Sequence, residues 1–589
     1  MKKAVQYHQS GELERAREIY ASILEAEPDQ ADALHLSGVI AHQSGRQEAA
    51  IDLITRAIAI DPGQAPFYTN LGNALTALSR LDEAIACYQK ALQIAPHSAE
   101  ACYNVGNAFR SQGKLEEAVK CYQKAVALAP DFPEAHTNLG HTWSAQDKFE
   151  EAVACYQRAL DIRPDDSDAY NHLGMAFKGQ GKWHDAASCY NMAIRLRPED
   201  AAAYYNMGNL LHDQLKLTEA LGWYQKAIQI NHEYIDAYDN LGKTFRDLGM
   251  LDQATACHER SLQLDPDNAE TRFDLATVRL LGGEFAEGWA GYEWRFKRRK
   301  WRSVYPFRRE MPRWDGAPFP GKRLFVHSEQ GFGDSLQFVR YLPMVKERGG
   351  EVVFETVAPL MELFRNLKGI DILVQGPADT SQPMDCDLYV PLLSLPKIFE
   401  TRLETIPSQV PYIFADPQKV LYWQDRLRYT GFRVGLVWAG KATDRRRSCP
   451  LKELVPLLRI PGIEFIGLQK GAHAKEVFSL PKEVAFANIG EAFEDFSDTA
   501  AAIEHLDLIV SIDTSVAHLA GAMGKPVWVM LLMSPDWRWL MDRRDSPWYP
   551  TMRLFRQSRP GDWEAPVRQM ERELRACINP SGKYWIEEG

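Results

Sequence analysis

Fourteen residues, Asp513-Thr-Ser-Val-Ala-His-Leu-Ala-Gly-Ala-Met-Gly-Lys-Pro526, combine hydroxyls with the start of a small-residue helix. A strand-like run, Leu508–Ile512, precedes them, and a second, Pro526–Leu532, follows. Free backbone N–H groups and the helix dipole at such a turn bind anions, so the segment suits a nucleotide diphosphate. The competing reading is an ordinary Ser/Thr cap on a buried strand–helix unit. A second turn, Gly331-Phe-Gly333-Asp334, places a carboxylate before the helical stretch Leu336–Val345. Asp334 could cap that helix, with Gln337 at the capping-box position, or serve as a base. Lys441 follows the strand ending at Trp438-Ala-Gly440, and Gln469 and Lys470 end the next strand. All three are candidates for the nucleotide, with an exposed loop lysine the alternative for Lys441.

Positioning these residues requires alternating strands and helices. Leu324–His327, Glu351–Phe354, Asp371–Val374 and Asp387–Val390 read as strands of a small parallel α/β domain. A second series begins at Phe432–Trp438, continues through Glu464–Leu468, a segment near Phe486 and Leu508–Ile512, and ends with Pro526–Leu532. Two Rossmann-like halves in tandem imply a cleft at the carboxyl ends of their strands.

The front half is a repeat array. Pro28, Pro62, Pro96, Pro130, Pro164, Pro198 and Pro266 lie on a 34-residue grid, with His232 at the vacancy. Gly38, Gly72, Gly106, Gly140, Gly174, Gly208 and Gly242 keep the same period, as do Tyr88, Tyr122, Tyr156, Tyr190 and Tyr224. Each unit reads as two amphipathic helices stopped by the proline. Cys87, Cys121, Cys155, Cys189 and Cys257 share one grid position, which makes them core thiols, not metal ligands. Past Pro266 a further unit keeps Tyr292 and adds Trp289, Trp294 and Phe296, as a last helix would against a domain. Two residues before each of the last six glycines stands Asn70, Asn104, Asn138, His172, Asn206 or Asn240. This ladder could bind the backbone of an extended peptide, although Asn is also a common residue at this place in the repeat.

Period and residue types together closely resemble the tetratricopeptide repeat over residues 1–296. Residues 320–580 resemble the lipopolysaccharide heptosyltransferase family of GT-B glycosyltransferases, through the Gly331–Asp334 turn and the Asp513 segment. Asp536-Trp-Arg-Trp539 and Ser546-Pro-Trp-Tyr-Pro550 look like strings of bacterial proteins with the same layout. That layout is similar to the O-linked N-acetylglucosamine transferases, whose asparagine ladder holds protein substrates. The resemblances imply an α-solenoid, a tetratricopeptide superhelix, followed by an α/β GT-B module of two Rossmann-like domains. The expected boundaries are 1–296 for the repeats, 297–320 for a basic, proline-containing linker, 321–431 for the acceptor-side domain and 432–589 for the donor domain with a C-terminal helix. The first domain is short for a GT-B half, which leaves its acceptor side to be completed by the repeats.

The implied activity is inverting transfer of a sugar from a nucleotide sugar. Asp334 would act as base, and Asp513, Thr514, Ser515 and His518 would hold the diphosphate. The Asp385-Cys-Asp387 pattern suits metal-dependent GT-A enzymes, so in a GT-B chain it reads as the start of a strand, with no metal or other cofactor expected. The acceptor is a protein or peptide in the repeat groove. The alternatives are a scaffold with a vestigial transferase and a transferase acting on a glycan. The 589 residues imply several domains. A net charge of −11 argues against a general nucleic-acid binder, leaving open a local basic patch. Among residues 295–309, Arg295, Lys297, Arg298, Arg299, Lys300, Arg302, Arg308 and Arg309 read as a solvated linker, with a lining near an anionic substrate as the alternative. No run is long and apolar enough to span a membrane, and the first residues lack the apolar core of a signal peptide. A cytoplasmic location follows as the default, and a homo-oligomer stays open.

Overall fold

The computed structural model describes residues 1–298, 311–329, 331–376, 385–427, 431–440 and 445–577. It divides into two compact units, Met1–Asp213 with Gly222–His232, and Gln214–Leu221 with Glu233–Gly589. No helix among the described residues is long and apolar enough to cross a membrane.

The first unit is a series of paired helices, such as Ala99–Ser111 with Leu115–Leu128 and Pro133–Ser144 with Phe149–Ile162. The grid has a steric cause. A Cβ added to Gly72, Gly106, Gly140, Gly174 or Gly208 would lie 2.5–2.8 Å from the ring of Tyr88, Tyr122, Tyr156, Tyr190 or Tyr224. Glycine on one helix therefore admits the tyrosine of the next, and the pair recurs in five successive repeats; in the repeat before them Gly38 faces Ile54. The buried tyrosine needs a hydrogen-bond partner. Tyr88 and Tyr122 hydroxyls donate to Asn73 Oδ1 at 2.8 Å and Asn107 Oδ1 at 2.7 Å.

The second unit starts with two further helix pairs, Ile235–Asp247 with Leu251–Leu264 and Ala269–Leu281 with Phe285–Tyr292. Here Gly242 faces His258 in place of a tyrosine. Trp289 is buried; its indole N–H donates to the Thr401 carbonyl at 3.0 Å and its ring meets Trp537 edge-on at 5.1 Å. Trp294 and Phe296 are half-buried. The linker expectation fails at Arg295, which is 2% exposed. Its guanidinium donates to Glu293 at 2.7 Å, Glu329 at 2.8 Å and Ser394 Oγ at 2.7 Å, so this charge is buried and fully paired. Residues 299–310, with the other arginines and Lys300 of that run except Lys297 and Arg298, lie outside the described residues.

Two all-parallel sheets follow. The first comprises β1 (Arg323–His327), β2 (Glu351–Thr356), β3 (Ile372–Gln375) and β4 (Leu388–Pro391), in the order β3-β2-β1-β4. The second comprises β5 (Phe432–Val437), β6 (Ile463–Gly467), β7 (Ala487–Asn488), β8 (Leu508–Ile512), β9 (Val527–Leu531) and β10 (Met552–Arg556), in the order β10-β9-β8-β5-β6-β7. The sequence reading stopped at β9. β10 extends that edge, with Leu554 beside Val529 and Phe555 beside Met530. Buried residues of both sheets and of the Ala269–Leu281 and Phe285–Tyr292 helices share one apolar core.

Candidate functional site

Both turns singled out in the sequence open at the carboxyl ends of parallel strands and line one cleft of about 770 Å³. This is where ligands bind in open α/β sheets. The chain leaves β1 and enters the helix Phe332–Phe338, with Gly331 as its N-cap. It leaves β8 and enters the helix Ser515–Ala522, with Thr514 as its N-cap. The two helix starts touch. A Cβ on Gly333 would lie 3.0 Å from His518 Cδ2 and 3.7 Å from Ser515 Cα, so glycine is what lets them approach.

The capping alternative for Asp334 does not hold. Asp334 lies inside the helix, no side chain caps its start, and the carboxylate forms an ion pair with Arg538 Nη2. Gln337, fully buried, accepts from Arg538 Nε at 2.7 Å. Arg538 also donates through Nη1 to Asp536 at 2.7 Å. Burial opposes the charge of Arg538, but Asp536 and Asp334 outweigh it and raise its pKa. Burial likewise opposes ionisation of Asp536, and Arg538 reverses this, holding its carboxyl below the usual range.

At the second helix start, the Thr514 hydroxyl pairs with Ser511 Oγ at 2.9 Å and does not cap the helix. The first-turn amides, including those of Ser515 and Val516, thus have no side-chain cap where they meet the cleft. Asp513 is 11% exposed, 3.5 Å from Arg447 Nη1 and 3.9 Å from His518 Nε2. Burial and the charge of Asp536 push its carboxyl up to about 6, against the pull of Arg447 and Arg538. His518 is pushed down to about 3 by burial and by Arg538, and is neutral near pH 7. Its Nδ1 lies 3.0 Å from the Tyr549 hydroxyl and its ring stacks on Trp539 at 5.3 Å. It therefore offers an anion no charge.

Gln469 lines the cleft, yet its carboxamide is occupied. Oε1 accepts from Trp438 N at 3.2 Å and Ala439 N at 2.9 Å, and Nε2 donates to the carbonyls of Ala439 at 3.1 Å and Lys470 at 3.2 Å. It shapes the loops after β5 and β6 and is spoken for as a nucleotide reader. Lys470 is exposed at the rim, with its ammonium on the Phe493 carbonyl at 2.5 Å. Lys441 lies outside the described residues. Asp385 and Asp387 are tied to Arg323, by Nη1 at 3.0 Å and by the backbone N–H at 2.8 Å, at the start of β4.

Arg447, Asp536 and Arg538 complete the wall of the cleft. Arg447 ends the sequence run Arg445-Arg-Arg447, which reads equally as a solvated loop or a phosphate contact, and the other two belong to the Asp536-Trp-Arg-Trp539 string. The same three residues, with Asp334, also line a second cavity of about 540 Å³. Its far side is formed by Arg246, Phe273, Thr277 and Tyr292 from the last helix pairs.

The asparagine ladder is engaged within the first unit. Nδ2 of Asn70 meets His35 Nε2 at 2.8 Å, and those of Asn104, Asn138 and Asn206 donate to Asn73 at 3.3 Å, Asn107 at 2.8 Å and Asn171 at 2.9 Å. His172 Nδ1 lies 2.7 Å from the Asp168 carbonyl. Asn240, in the second unit, is half-buried. These carboxamides stitch successive helix pairs together.

Residues 7–239 match the family described as the C-terminal domain of cilia and flagella-associated protein 70, and residues 235–268 match a tetratricopeptide repeat. Protein FlbA of Caulobacter vibrioides is 29% identical over 338 residues, covering 52% of this chain and 55% of that protein. The chain thus spans about half the length of the curated relative it matches. Among solved structures, YrrB, a tetratricopeptide-repeat protein with an unusual peptide-binding site, is 27% identical with a TM-score of 0.29, over 31% of this chain and 95% of its own. MamA is 24% identical with a TM-score of 0.27, over 28% and 98%. A tetratricopeptide-repeat protein from Parabacteroides merdae is 17% identical with a TM-score of 0.37, over 42% and 98%. The helix pairs of this chain are tetratricopeptide repeats, and its C-terminal half is α/β with parallel sheets.

Proposed function

We propose that the protein is a GT-B glycosyltransferase that moves a sugar from a nucleotide diphosphate sugar to a hydroxyl of a protein or peptide, with inversion and without a metal ion. The observation that carries this reading is the meeting of the Gly331–Asp334 turn and the Asp513–Ser515 turn across one cleft. The open amides of the Ser515–Ala522 helix, with Arg447 beside them, suit the diphosphate. The cavity lined by the last repeats suits the acceptor, since it shares Asp334 with the donor cleft. The acceptor oxygen attacks the anomeric carbon and forms the new glycosidic bond. The bond from that carbon to the phosphate oxygen breaks, and the diphosphate leaves with its electron pair. The acceptor proton passes to the Asp334 carboxylate. Amide donors aimed at the leaving oxygens stabilise the charge that develops there.

The repeats of other proteins commonly hold peptides, and the last helix pairs line this cavity themselves. One observation favours a second reading, in which the acceptor is a glycan and the repeats serve assembly: the ladder carboxamides already bond to one another. Thermal shift with UDP-, GDP- and ADP-linked sugars tests the donor site, because a ligand that prefers the native state raises the midpoint. A midpoint unmoved by all of them at millimolar concentration would reject the reading.

A further inference from the structure

Arg538 stands on the short turn Trp537–Trp539 beyond β9, and Asp334 on the helix beyond β1. The guanidinium spreads over three acceptors on two elements. Nη2 meets Asp334, Nη1 donates to Asp536 at 2.7 Å and Nε donates to Gln337 Oε1 at 2.7 Å. Its side chain is 9% exposed and lies over the Trp537 ring, 4.2 Å from the centroid. Asp536 fixes the turn as well, accepting from the Arg538 backbone N–H at 3.1 Å. A rigid planar fork held on every side fixes the carboxylate it meets in direction as well as in charge. A surface ion pair would leave both side chains mobile and contribute little.

We propose that Arg538 is a positioning residue for glycosyl transfer: it holds the Asp334 carboxylate in one orientation at the wall where the donor cleft and the second cavity meet. The inference rests on the glycosyltransferase reading, in which Asp334 takes the acceptor proton. Arg538 acts through Asp334 and Gln337 acts through Arg538. A base held in one orientation meets the acceptor hydroxyl without a rotamer search, and small losses of alignment cost large factors in rate. The other charged or titratable groups around this wall include Asp536, Asp513, Arg447, His518, Tyr292 and, across the second cavity, Arg246. His518 is neutral, and burial raises the Tyr292 phenol out of the working range.

The test uses the full chain and follows release of diphosphate from UDP-glucose, UDP-N-acetylglucosamine and GDP-mannose, with a Ser/Thr peptide library as acceptor. Arg538→Gln is expected to lower kcat about 30- to 100-fold while the donor KM stays within about twofold. A cation beside a carboxylate favours its ionised form, so the acid limb of the rate should move to higher pH in this variant. Arg538→Lys keeps the charge and loses the fork; it should recover part of kcat and part of the limb. Gln337→Leu should lower kcat less, in the same pattern. Unchanged kcat and acid limb in Arg538→Gln would overturn the proposal. So would a joint loss of kcat and donor affinity with the limb unmoved, which is the signature of a merely structural residue. If Arg538→Gln does not fold, Arg538→Lys decides, because a wild-type kcat there, with the planar fork lost, also overturns it. A wild-type chain that releases no diphosphate from any donor and gains no thermal stability with them rejects the glycosyltransferase reading itself. An active wild type with indifferent variants rejects the role of Arg538 alone.

Discussion

Asp513→Asn should stabilise the α/β half of the protein at neutral pH, although Asp513 stands in the candidate site. The carboxyl is buried at the end of β8, and burial and the charge of Asp536 raise it from 3.8 to about 6. The folded value lies above the unfolded one. The stabilising protonated form is therefore fully present below about 4, is lost as pH rises towards 6, and is absent at pH 8. A difference of roughly two units corresponds to about 3 kcal/mol, an upper figure because Arg447 and Arg538 relax around the charge. Asparagine mimics the protonated acid and keeps an acceptor for its neighbours. The variant should gain up to about 3 kcal/mol at pH 8 and less than about 1 kcal/mol at pH 4. Thermal melts followed by tryptophan fluorescence report this half, where Trp438, Trp528, Trp539 and Trp548 are buried. A gain of several degrees at pH 8 that vanishes at pH 4 is the expected result. Equal shifts at both pH values, or a loss at pH 8, would refute the electrostatic account of this residue.

Asp334→Asn should bind nucleotide sugars with unchanged affinity and transfer at least about 100-fold more slowly; full turnover would remove Asp334 as base. Ser515→Pro deletes one open amide at a helix position that tolerates proline, after an extended Thr514 with φ −140° and ψ 168°. It should keep the fold and weaken nucleotide sugar binding about tenfold by calorimetry, and an unaltered affinity would move the diphosphate elsewhere. Gly106→Ala would place a Cβ 2.7 Å from the Tyr122 ring and should destabilise the repeats by about 1–3 kcal/mol in urea melts. Gly113→Ala, at a turn with φ 75° and open space, should cost less and through the backbone alone.

The repeats were legible because one contact, glycine against tyrosine, recurs in five successive helix pairs, from Gly72 to Gly208, and leaves both residues on the grid. The two halves of the cleft were legible because each turn is local: a strand, a few small or polar residues, a helix. What joins the halves was not. Asp334 and Arg538 are 204 positions apart, and nothing in either neighbourhood announces the other. Gln469 was found as a residue of the cleft, but its partners Trp438 and Ala439 belong to the preceding strand and turn, so its occupation could only be seen folded. β10 escaped because Met552–Arg556 is a five-residue run with an arginine at its second and last places, too short to show a period. Arg295 shows the same limit from the other side. A run of basic residues reads as solvated until Glu329 and Ser394 arrive from the first sheet to bury one of them.

The charges in the cleft sort into two places with different tasks. On the wall shared by both cavities, two carboxylates, Asp334 and Asp536, share one guanidinium, Arg538. Under the proposed reading, this group would keep a negative charge where the acceptor proton goes. At the helix start, Arg447 faces Asp513, and His518 is kept neutral by burial and by Arg538. Under the proposed reading, an incoming diphosphate would draw on the open amides and on Arg447, and the carboxylate of Asp513 would compete for that arginine. Protonation of Asp513 ends the competition, and its raised pKa puts that step within reach near neutral pH. Donor binding near pH 6–7 should therefore favour proton uptake by the residue that opens the motif, leaving Arg447 to the phosphate while the ion pair at Asp334 is untouched.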